Sequence, residues 1–325
     1  MTTGLIYDDR FLDHDTGPGH PERPDRLRAI VSALQASGMW NQLVLLAFGP
    51  ATHAQLQRLH PESYIHRVHD ACVAGLPYID VPDSAISEGS AEIAALATGG
   101  VLRATEAVMR GEVSNAFCAI RPPGHHAERD RSMGFCLFGH VALAAESLIT
   151  DHGLSRVAIV DFDVHHGNGT QRLLEHRSDI LFISVHEHPD HQYPGTGYEY
   201  EIGIGEGEGA TLNIPLPSGS DDLAYRAVFD QTILPKLEAF APEFVLCSAG
   251  FDAATADPLG GMRLSTDGFV EITRKVQDVA NRHAQGRIVS VLEGGYDLDA
   301  LAAGVCGHIN VLMESDVGGT DIIDR

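Results

Sequence analysis

The sequence predicts an α/β fold built around a parallel sheet. Short apolar segments of strand length alternate with longer segments of helical periodicity, and each apolar segment ends at glycine, proline or a charged residue. Hydrophobic residues make up 44% of the 325 residues, which is enough to form a large core. No internal repeat or low-complexity tract divides the chain, so we predict one domain over residues 1–325.

Strands and helices are predicted from segment length and composition. Five segments are short, apolar and partly β-branched, as buried strands are: residues 115–120, 157–160, 180–185, 244–248 and 288–292. Four longer segments have helical periodicity: residues 90–111, 141–151, 222–238 and 266–285. Strands that alternate with helices pair in parallel, because each helix returns the chain to the same edge of the sheet.

A polar segment that contains glycine, histidine or a carboxylate follows each predicted strand. In chain order these segments are Arg121-Pro-Pro-Gly-His125-His126, Asp161-Phe-Asp163-Val-His165-His166, His186-Glu-His188, Gly250-Phe-Asp252-Ala and Glu293-Gly-Gly-Tyr296. Ligands of parallel α/β sheets bind beyond the carboxyl ends of the strands. We therefore expect the five segments to converge on one crevice.

The segment after the second predicted strand has the composition of a metal site. Asp161, Asp163 and His165 are two residues apart, so in an extended chain they share one face. Burying such groups is costly unless they are paired or bind a cation. Carboxylate and imidazole ligands suit zinc or a similar metal, and Asp252 is the best third ligand. The alternative is that Asp252 caps a following helix.

Two adjacent histidines and a tyrosine are candidates for acid–base and oxyanion chemistry. His125 and His126 follow a rigid Pro-Pro-Gly turn and titrate near neutral pH, although they could also be an exposed loop pair. Asp161 and Asn168 are candidates to orient the two rings, and Asp161 could instead bind a monovalent cation. Tyr296, after two glycines, could donate a hydrogen bond to an oxyanion or simply pack in the core.

Composition argues against several classes of partner. A net charge of −23 opposes nucleic-acid binding and would attract cationic substrates, although it could equally reflect a solvated acidic surface. No apolar run approaches the roughly 20 residues that span a membrane, and the first residues lack the pattern of a secretion signal. Five widely spaced cysteines without a Cys-x-x-Cys pair indicate reduced thiols and a cytoplasmic location.

Seven motifs in order along the chain closely resemble those of the histone deacetylase family. They are Arg121-Pro-Pro-Gly-His-His-Ala127, Gly134-Phe-Cys-Leu-Phe138, Asp161-Phe-Asp-Val-His-His-Gly-Asn-Gly-Thr170, Tyr193-Pro-Gly-Thr-Gly197, Gly250-Phe-Asp252-Ala, Asp257-Pro-Leu-Gly260 and Glu293-Gly-Gly-Tyr296. The first motif and Asn168 resemble the class II branch and its bacterial histone deacetylase-like amidohydrolases. The resemblance implies a single arginase/deacetylase-type domain with an eight-stranded, mainly parallel sheet flanked by helices.

The resemblance also implies a zinc-dependent hydrolase that removes acetyl or other short acyl groups from the lysine side-chain amine of proteins or peptides. It implies one catalytic Zn²⁺ on Asp163, His165 and Asp252, and a structural K⁺ site formed by Asp161, Asp163, His165, Ser184 and Val185. Phe135, Tyr193 and Leu259 match the walls of the substrate tunnel, and Arg26 matches a residue of the acetate channel. Relatives form dimers and tetramers, so a homo-oligomer is expected.

In the mechanism implied by the resemblance, His126 takes a proton from water and later protonates the leaving amine. His125, with Asp161, stabilises the transition state, and Tyr296 donates to the oxyanion. The sequence does not fix how the two histidines divide these roles.

The chain departs from the family pattern at Gly139-His140 and Ala254, where we expect changes in the rim of the site. Three other functions compete with this one. An acetylpolyamine amidohydrolase uses the same chemistry, but the leucine at Leu259 favours acyl-lysine, since a glutamate there marks the polyamine-preferring type. Arginase-like chemistry needs a two-metal cluster, and an acyl-binding module without catalysis would have lost Tyr296 or a metal ligand.

Overall fold

One eight-stranded parallel sheet forms the centre of the computed structural model, which describes residues 2–314. The strands are β1 (Thr3–Ile6), β2 (Val44–Leu45), β3 (Asn115–Cys118), β4 (Val157–Asp161), β5 (Ile180–Glu187), β6 (Thr211–Leu216), β7 (Phe244–Ala249) and β8 (Ile288–Leu292). Their order is β2-β1-β3-β8-β7-β4-β5-β6, and each neighbouring pair is parallel. The predicted α/β fold with a parallel sheet is confirmed.

Within the described part of the chain, ten α-helices connect and cover the strands. They are α1 (Asp25–Ala36), α2 (His53–Leu56), α3 (Glu62–Val73), α4 (Ser90–Met109), α5 (His140–Thr150), α6 (Asn168–Leu174), α7 (Asp222–Val228), α8 (Leu234–Phe240), α9 (Thr266–His283) and α10 (Leu298–Met313). They pack in two groups, one around α4 and α5 and the other around α1, α9 and α10. No helix within residues 2–314 is long and apolar enough to cross a membrane.

The five strands predicted from the sequence are the five adjacent strands at the centre of the sheet. Every residue of β3, β4, β5, β7 and β8 is buried, which explains their continuous apolar composition. The sequence did not predict β1, β2 and β6. The first two are only four and two residues long, and β6 is partly exposed at the edge of the sheet.

Strand order places the predicted polar segments side by side. β8 pairs with β3 on one side and β7 on the other, and β4 lies between β7 and β5. All five strands point the same way, so the segments that follow them meet at one edge of the sheet.

One predicted helix is interrupted. Residues 222–238 were predicted as a continuous helix, but α7 ends at Val228, a π-helical turn spans Phe229–Ile233, and α8 follows. Pro235 lies in the first turn of α8, where its missing N–H is tolerated, and it prevents a regular helix from continuing through this point. The predicted domain over residues 1–325 extends beyond the described residues at Met1 and at 315–325, so its limits stay a prediction.

Candidate active site

Asp163, His165 and Asp252 form a buried cluster that could hold a metal ion. Asp163 and His165 follow β4, and Asp252 follows the neighbouring strand β7. One ligand atom from each residue lies within 4.8 Å of the other two. The His165 Nδ1 atom is 2.9 Å from Asp163 Oδ1 and 3.2 Å from Asp252 Oδ2. The structure therefore brings the three predicted metal ligands together.

The chemistry of the cluster fits a cation. His165 Nδ1 forms its hydrogen bond with Asp163, and no other donor among the described residues bonds to the buried Asp252 Oδ2, although a buried carboxylate oxygen normally has a donor. Burial and the Asp163 carboxylate raise the pKa of Asp252 to about 7. Burial opposes protonation of His165, but Asp163 and Asp252 outweigh it and raise its pKa to about 10. The site therefore has an excess of negative charge, which a bound metal would neutralise.

Two glycines leave room for the carboxylates. A Cβ atom at Gly294 would lie 2.0 Å from Asp252 Oδ2, and one at Gly250 would lie 2.1 Å from Asp163 Oδ2. Asp252 does not cap a helix, because the next helix, α9, begins at Thr266 and is capped by Ser265. The glycines of these motifs therefore make space for the carboxylates.

His125 and His126 lie beside the cluster, with ring centroids 4.0 Å apart. Both are buried, with exposed fractions of 3% and 4%, so the alternative of an exposed loop pair is wrong. His125 Nδ1 is 3.0 Å from Asp161 Oδ2, and His126 Nδ1 is 2.7 Å from Asn168 Oδ1. Each histidine therefore contacts the partner predicted to orient it.

The surroundings of the two rings shift their pKa values in opposite directions. The Asn168 amide N–H donates to Glu128, so the Asn168 side-chain oxygen is the atom that faces His126. This oxygen accepts from the Nδ1–H of His126, and His126 Nε2 therefore remains as a proton acceptor. Burial lowers the pKa of His126 well below its ordinary value, and the nearby His125 and His165 add to this effect. Burial also disfavours charge on His125, but the Asp163 and Asp161 carboxylates outweigh it and raise its pKa.

Above this cluster lies a cavity of about 250 Å³. Its lining residues are Asp83, His126, Gly134, Phe135, His165, Gln192, Tyr193, Leu259 and Tyr296. Tyr296 is half-buried, and no described residue forms a hydrogen bond with its hydroxyl. The cavity is therefore lined by His126 as a proton acceptor, by Tyr296 as a proton donor, by the candidate metal ligand His165 and by apolar side chains.

Comparison with known proteins agrees with this geometry. The histone deacetylase domain family matches residues 20–312. The chain belongs to the histone deacetylase family. A histone deacetylase-like amidohydrolase of Pseudomonas aeruginosa is 40% identical, over 90% of this chain and 81% of its own length. A probable deacetylase of Archaeoglobus fulgidus is 38% identical, over 99% of this chain and 88% of its own length.

A solved structure described as the HD domain of HDA15 has a TM-score of 0.90 and 37% identity, covering 96% of this chain and 89% of that one. Membership in the histone deacetylase family places the chain among the deacetylases, which are hydrolases of amide bonds. It also implies a catalytic metal, and the Asp163, His165 and Asp252 cluster is able to hold one.

The three residues predicted as tunnel walls border the cavity, while their role as a substrate tunnel stays a prediction. Phe135, Tyr193 and Leu259 all line the cavity. Gly134 precedes Phe135 with a positive φ of 55°, and a Cβ atom there would lie 2.2 Å from the His126 ring. Arg26 is not among the lining residues. It is buried behind the site, where its guanidinium lies 5.0 Å from the Tyr296 ring centroid.

The predicted potassium ligands lie at the end of β4, directly after it, and on the adjacent strand β5. Asp161 and Ser184 are partners in the sheet register, and Val185 follows on β5. The Asp163 backbone N–H donates to Asp161 Oδ1 at 3.1 Å, and the Ser184 hydroxyl bonds to His186 Nδ1. These residues are buried and close together, while a potassium ion on them stays a prediction.

The expected changes at the rim are wrong for both departures from the family pattern. His140 is fully buried, 3.1 Å from the Pro122 carbonyl through Nε2 and 2.8 Å from the Thr98 hydroxyl through Nδ1. Ala254 is buried beside Leu264. His140 therefore supports the loop of the histidine pair from behind, and neither residue lines the cavity.

Three lining residues were missed by the sequence analysis. Asp83 lies in the long connection between α3 and α4, far from any strand end, so no local signal marks it. Gln192 donates to Glu187 and to the Leu259 carbonyl, which joins two loops of the cavity wall. Gly134 belonged to a recognised motif, but only the close approach to His126 shows why glycine is needed.

Proposed function

We propose that the protein is a zinc-dependent deacetylase that hydrolyses the acyl-lysine side-chain amide of proteins or peptides. The observation that carries this proposal is that His126, His165 and Tyr296 line one cavity, and that His165 also belongs to the buried Asp163, His165 and Asp252 cluster. Two carboxylates and one imidazole leave a coordination position open, as in catalytic zinc sites. When bound, zinc would polarise the amide carbonyl and acidify water at the site.

The side chains of the chain would divide the remaining work. His126, neutral and with Nε2 free, accepts the proton of the attacking water and later delivers it to the leaving amine. His125, charged beside Asp161, stabilises negative charge that develops in the transition state. The Tyr296 hydroxyl, without a partner among the described residues, donates to the oxyanion.

The cavity walls support acyl-lysine as the substrate. Phe135 and Tyr193 offer aromatic faces against which the four methylenes of a lysine stem can pack. Leu259 makes the third wall apolar. In the family that the sequence resembles, a glutamate at this position marks enzymes that prefer polyamines. The neutral amide of an acylated lysine requires no buried counter-charge.

A second candidate is an acetylpolyamine amidohydrolase, and one observation favours it. The Asp83 carboxylate lines the cavity, and the chain carries a net charge of −23, so cationic amines are attracted toward the site. An acetylpolyamine keeps a free ammonium group that could pair with Asp83.

Hydrolysis of matched substrates tests the proposal. We expect kcat/KM for an acetyl-lysine peptide to exceed that for acetylputrescine, and a chelator to abolish both activities. Leu259→Glu should shift the ratio toward acetylputrescine, whereas the size-matched control Leu259→Met should not. Absence of acetyl-lysine hydrolysis by the metal-loaded protein would refute the proposed activity, and a higher kcat/KM for acetylputrescine would favour the second candidate.

We also propose the structural K⁺ at Asp161, Asp163, His165, Ser184 and Val185, a cytoplasmic location and a homo-oligomer of two or four chains. The potassium proposal is supported by the burial of all five residues and by the pairing of Asp161 with Ser184 in the register of β4 and β5. The location is supported by the five cysteines, all of which are free. Sedimentation of the purified chain tests the oligomeric state.

A further inference from the structure

The carboxylate of Glu293 contacts the loop of the histidine pair from the side of the sheet. Glu293 follows β8 immediately and is fully buried. Its Oε2 accepts hydrogen bonds from the backbone N–H groups of Gly124 at 2.7 Å and His125 at 3.1 Å. Its Oε1 accepts from the Ser248 hydroxyl of β7 at 3.2 Å. One side chain thus joins the ends of three adjacent strands, β3, β7 and β8.

The main chain around Glu293 joins the other parts of the site. The carbonyls of Glu293 and Gly295 accept from the Arg26 guanidinium. The Gly294 N–H donates to Asp163 Oδ2 at 2.8 Å, and the Gly294 carbonyl accepts from the Phe251 N–H next to Asp252. The segment 293–295 therefore contacts the histidine loop, a candidate metal ligand and Arg26 of α1.

A fully buried carboxylate is costly, and within residues 2–314 no arginine or lysine side chain pairs with this one. A polar group of this kind in a site is retained when its hydrogen bonds define a geometry. The two N–H donors belong to the turn that directs the His125 and His126 rings. Without the carboxylate they would be buried and unsatisfied, and the turn would have to rearrange.

We propose that Glu293 is a positioning residue that fixes the backbone of Gly124 and His125, and thereby the direction of the histidine pair. The proposal rests on the proposed function, since it assigns how the acid–base groups of that site are held. Glu293 itself touches neither the cavity nor the metal ligands through its side chain.

Two substitutions separate geometry from charge. Glu293→Ala removes the acceptor, and a displacement of about 1 Å in the histidines would lower kcat by roughly 100-fold, with KM and bound metal little changed. Glu293→Gln keeps an acceptor oxygen of the same shape and should recover most of kcat. Ser290 lies on β8, the strand that precedes Glu293, and its hydroxyl forms a buried hydrogen bond with His308 of α10. Ser290→Ala removes that hydrogen bond and is the control for general destabilisation.

Amide hydrogen exchange gives a readout independent of activity. We expect faster exchange in the segment 121–127 for Glu293→Ala, and wild-type exchange there for Glu293→Gln and Ser290→Ala. The positioning role is overturned if Glu293→Ala keeps wild-type kcat, if both Glu293 variants lose kcat equally, or if exchange in that segment is unchanged. Wild-type protein without acetyl-lysine hydrolysis would refute the proposed function instead, and the exchange result would still decide the role of Glu293.

Discussion

At the scale of single residues, the two histidines differ because their partners differ. His125 bonds to the carboxylate of Asp161, and His126 bonds to the neutral amide of Asn168. A carboxylate favours the charged imidazolium, whereas an amide oxygen stabilises it less, so the pKa of His125 is raised while burial keeps the pKa of His126 low. The sequence identified all four residues as candidates, but which partner serves which ring depends on distances that only the structure gives.

Tyr296→Phe tests the oxyanion role. The phenyl ring keeps its contacts with Arg26 and Phe135, so the site should stay intact while the hydroxyl donor is lost. We expect kcat to fall by about 100-fold or more with bound metal unchanged, measured by steady-state kinetics and elemental analysis. Tyr7→Phe, whose hydroxyl bonds to Asp9 away from the cavity, is the matched control. A rate near wild type would remove the tyrosine from the mechanism.

Gly294→Ala tests whether glycine is required for the metal cluster. The added Cβ would lie 2.0 Å from Asp252 Oδ2 and 2.6 Å from Asp163 Oδ2, so the carboxylates must move apart. We expect the variant to fold but to bind metal much more weakly, measured by metal content after dialysis. Gly49→Ala is the control, because its Cβ would meet nothing within 4 Å. Equal metal content in the two variants would contradict the predicted ligand set.

At the scale of elements, strand ends position the site, and buried ion pairs fasten the elements behind it. Glu22 bonds to Arg121 of the loop after β3, and to Arg26 of α1 at 3.1 Å. All three side chains are fully buried. Two guanidinium groups thus share one carboxylate beneath the loop of the histidine pair.

Glu22→Gln tests this network through pH. Burial would raise the pKa of Glu22, but Arg121 and Arg26 outweigh it and lower the pKa from 4.5 to about 2. The ionised carboxylate therefore stabilises the fold above pH 4.5, and this contribution is lost as pH falls toward 2. We expect Glu22→Gln to lower the free energy of unfolding by about 3–5 kcal/mol at pH 7.

Urea unfolding at several pH values measures this difference. The gap between wild type and Glu22→Gln should shrink as pH falls from 4.5 toward 2, because the wild-type carboxyl then becomes neutral as well. Glu62→Gln, at an exposed position of α3, serves as the control and should match wild type throughout. A gap that does not depend on pH would contradict the assigned ionisation.

The elements that the sequence predicted are those whose composition is set by burial. β8 was predicted with its observed bounds, because all five residues are apolar or small and buried. β2 was missed because it has two residues, both exposed. Asp83 was missed because its place at the cavity depends on how the connection between α3 and α4 folds over the sheet.

At the scale of the whole molecule, strand order converts separate motifs into one site. The histidine loop follows β3 and the tyrosine loop follows β8, far apart in sequence. The Glu293 carboxylate nevertheless accepts a hydrogen bond from the Gly124 N–H, 169 residues away in the chain. Periodicity and composition predicted the strands but not their order, because pairing between distant strands leaves no local pattern. The motifs indicated convergence only through the rule that parallel strands place ligands at their carboxyl ends.

The central claim is that one metal ion held by Asp163, His165 and Asp252 supports amide hydrolysis. Its most direct test is to remove metal from the purified protein, return zinc in steps, and follow acetyl-lysine hydrolysis together with bound metal. We predict that activity rises in proportion to bound zinc and saturates at one ion per chain, and that Asp252→Asn recovers neither. Full activity of the metal-free protein, or wild-type activity of Asp252→Asn, would contradict the claim.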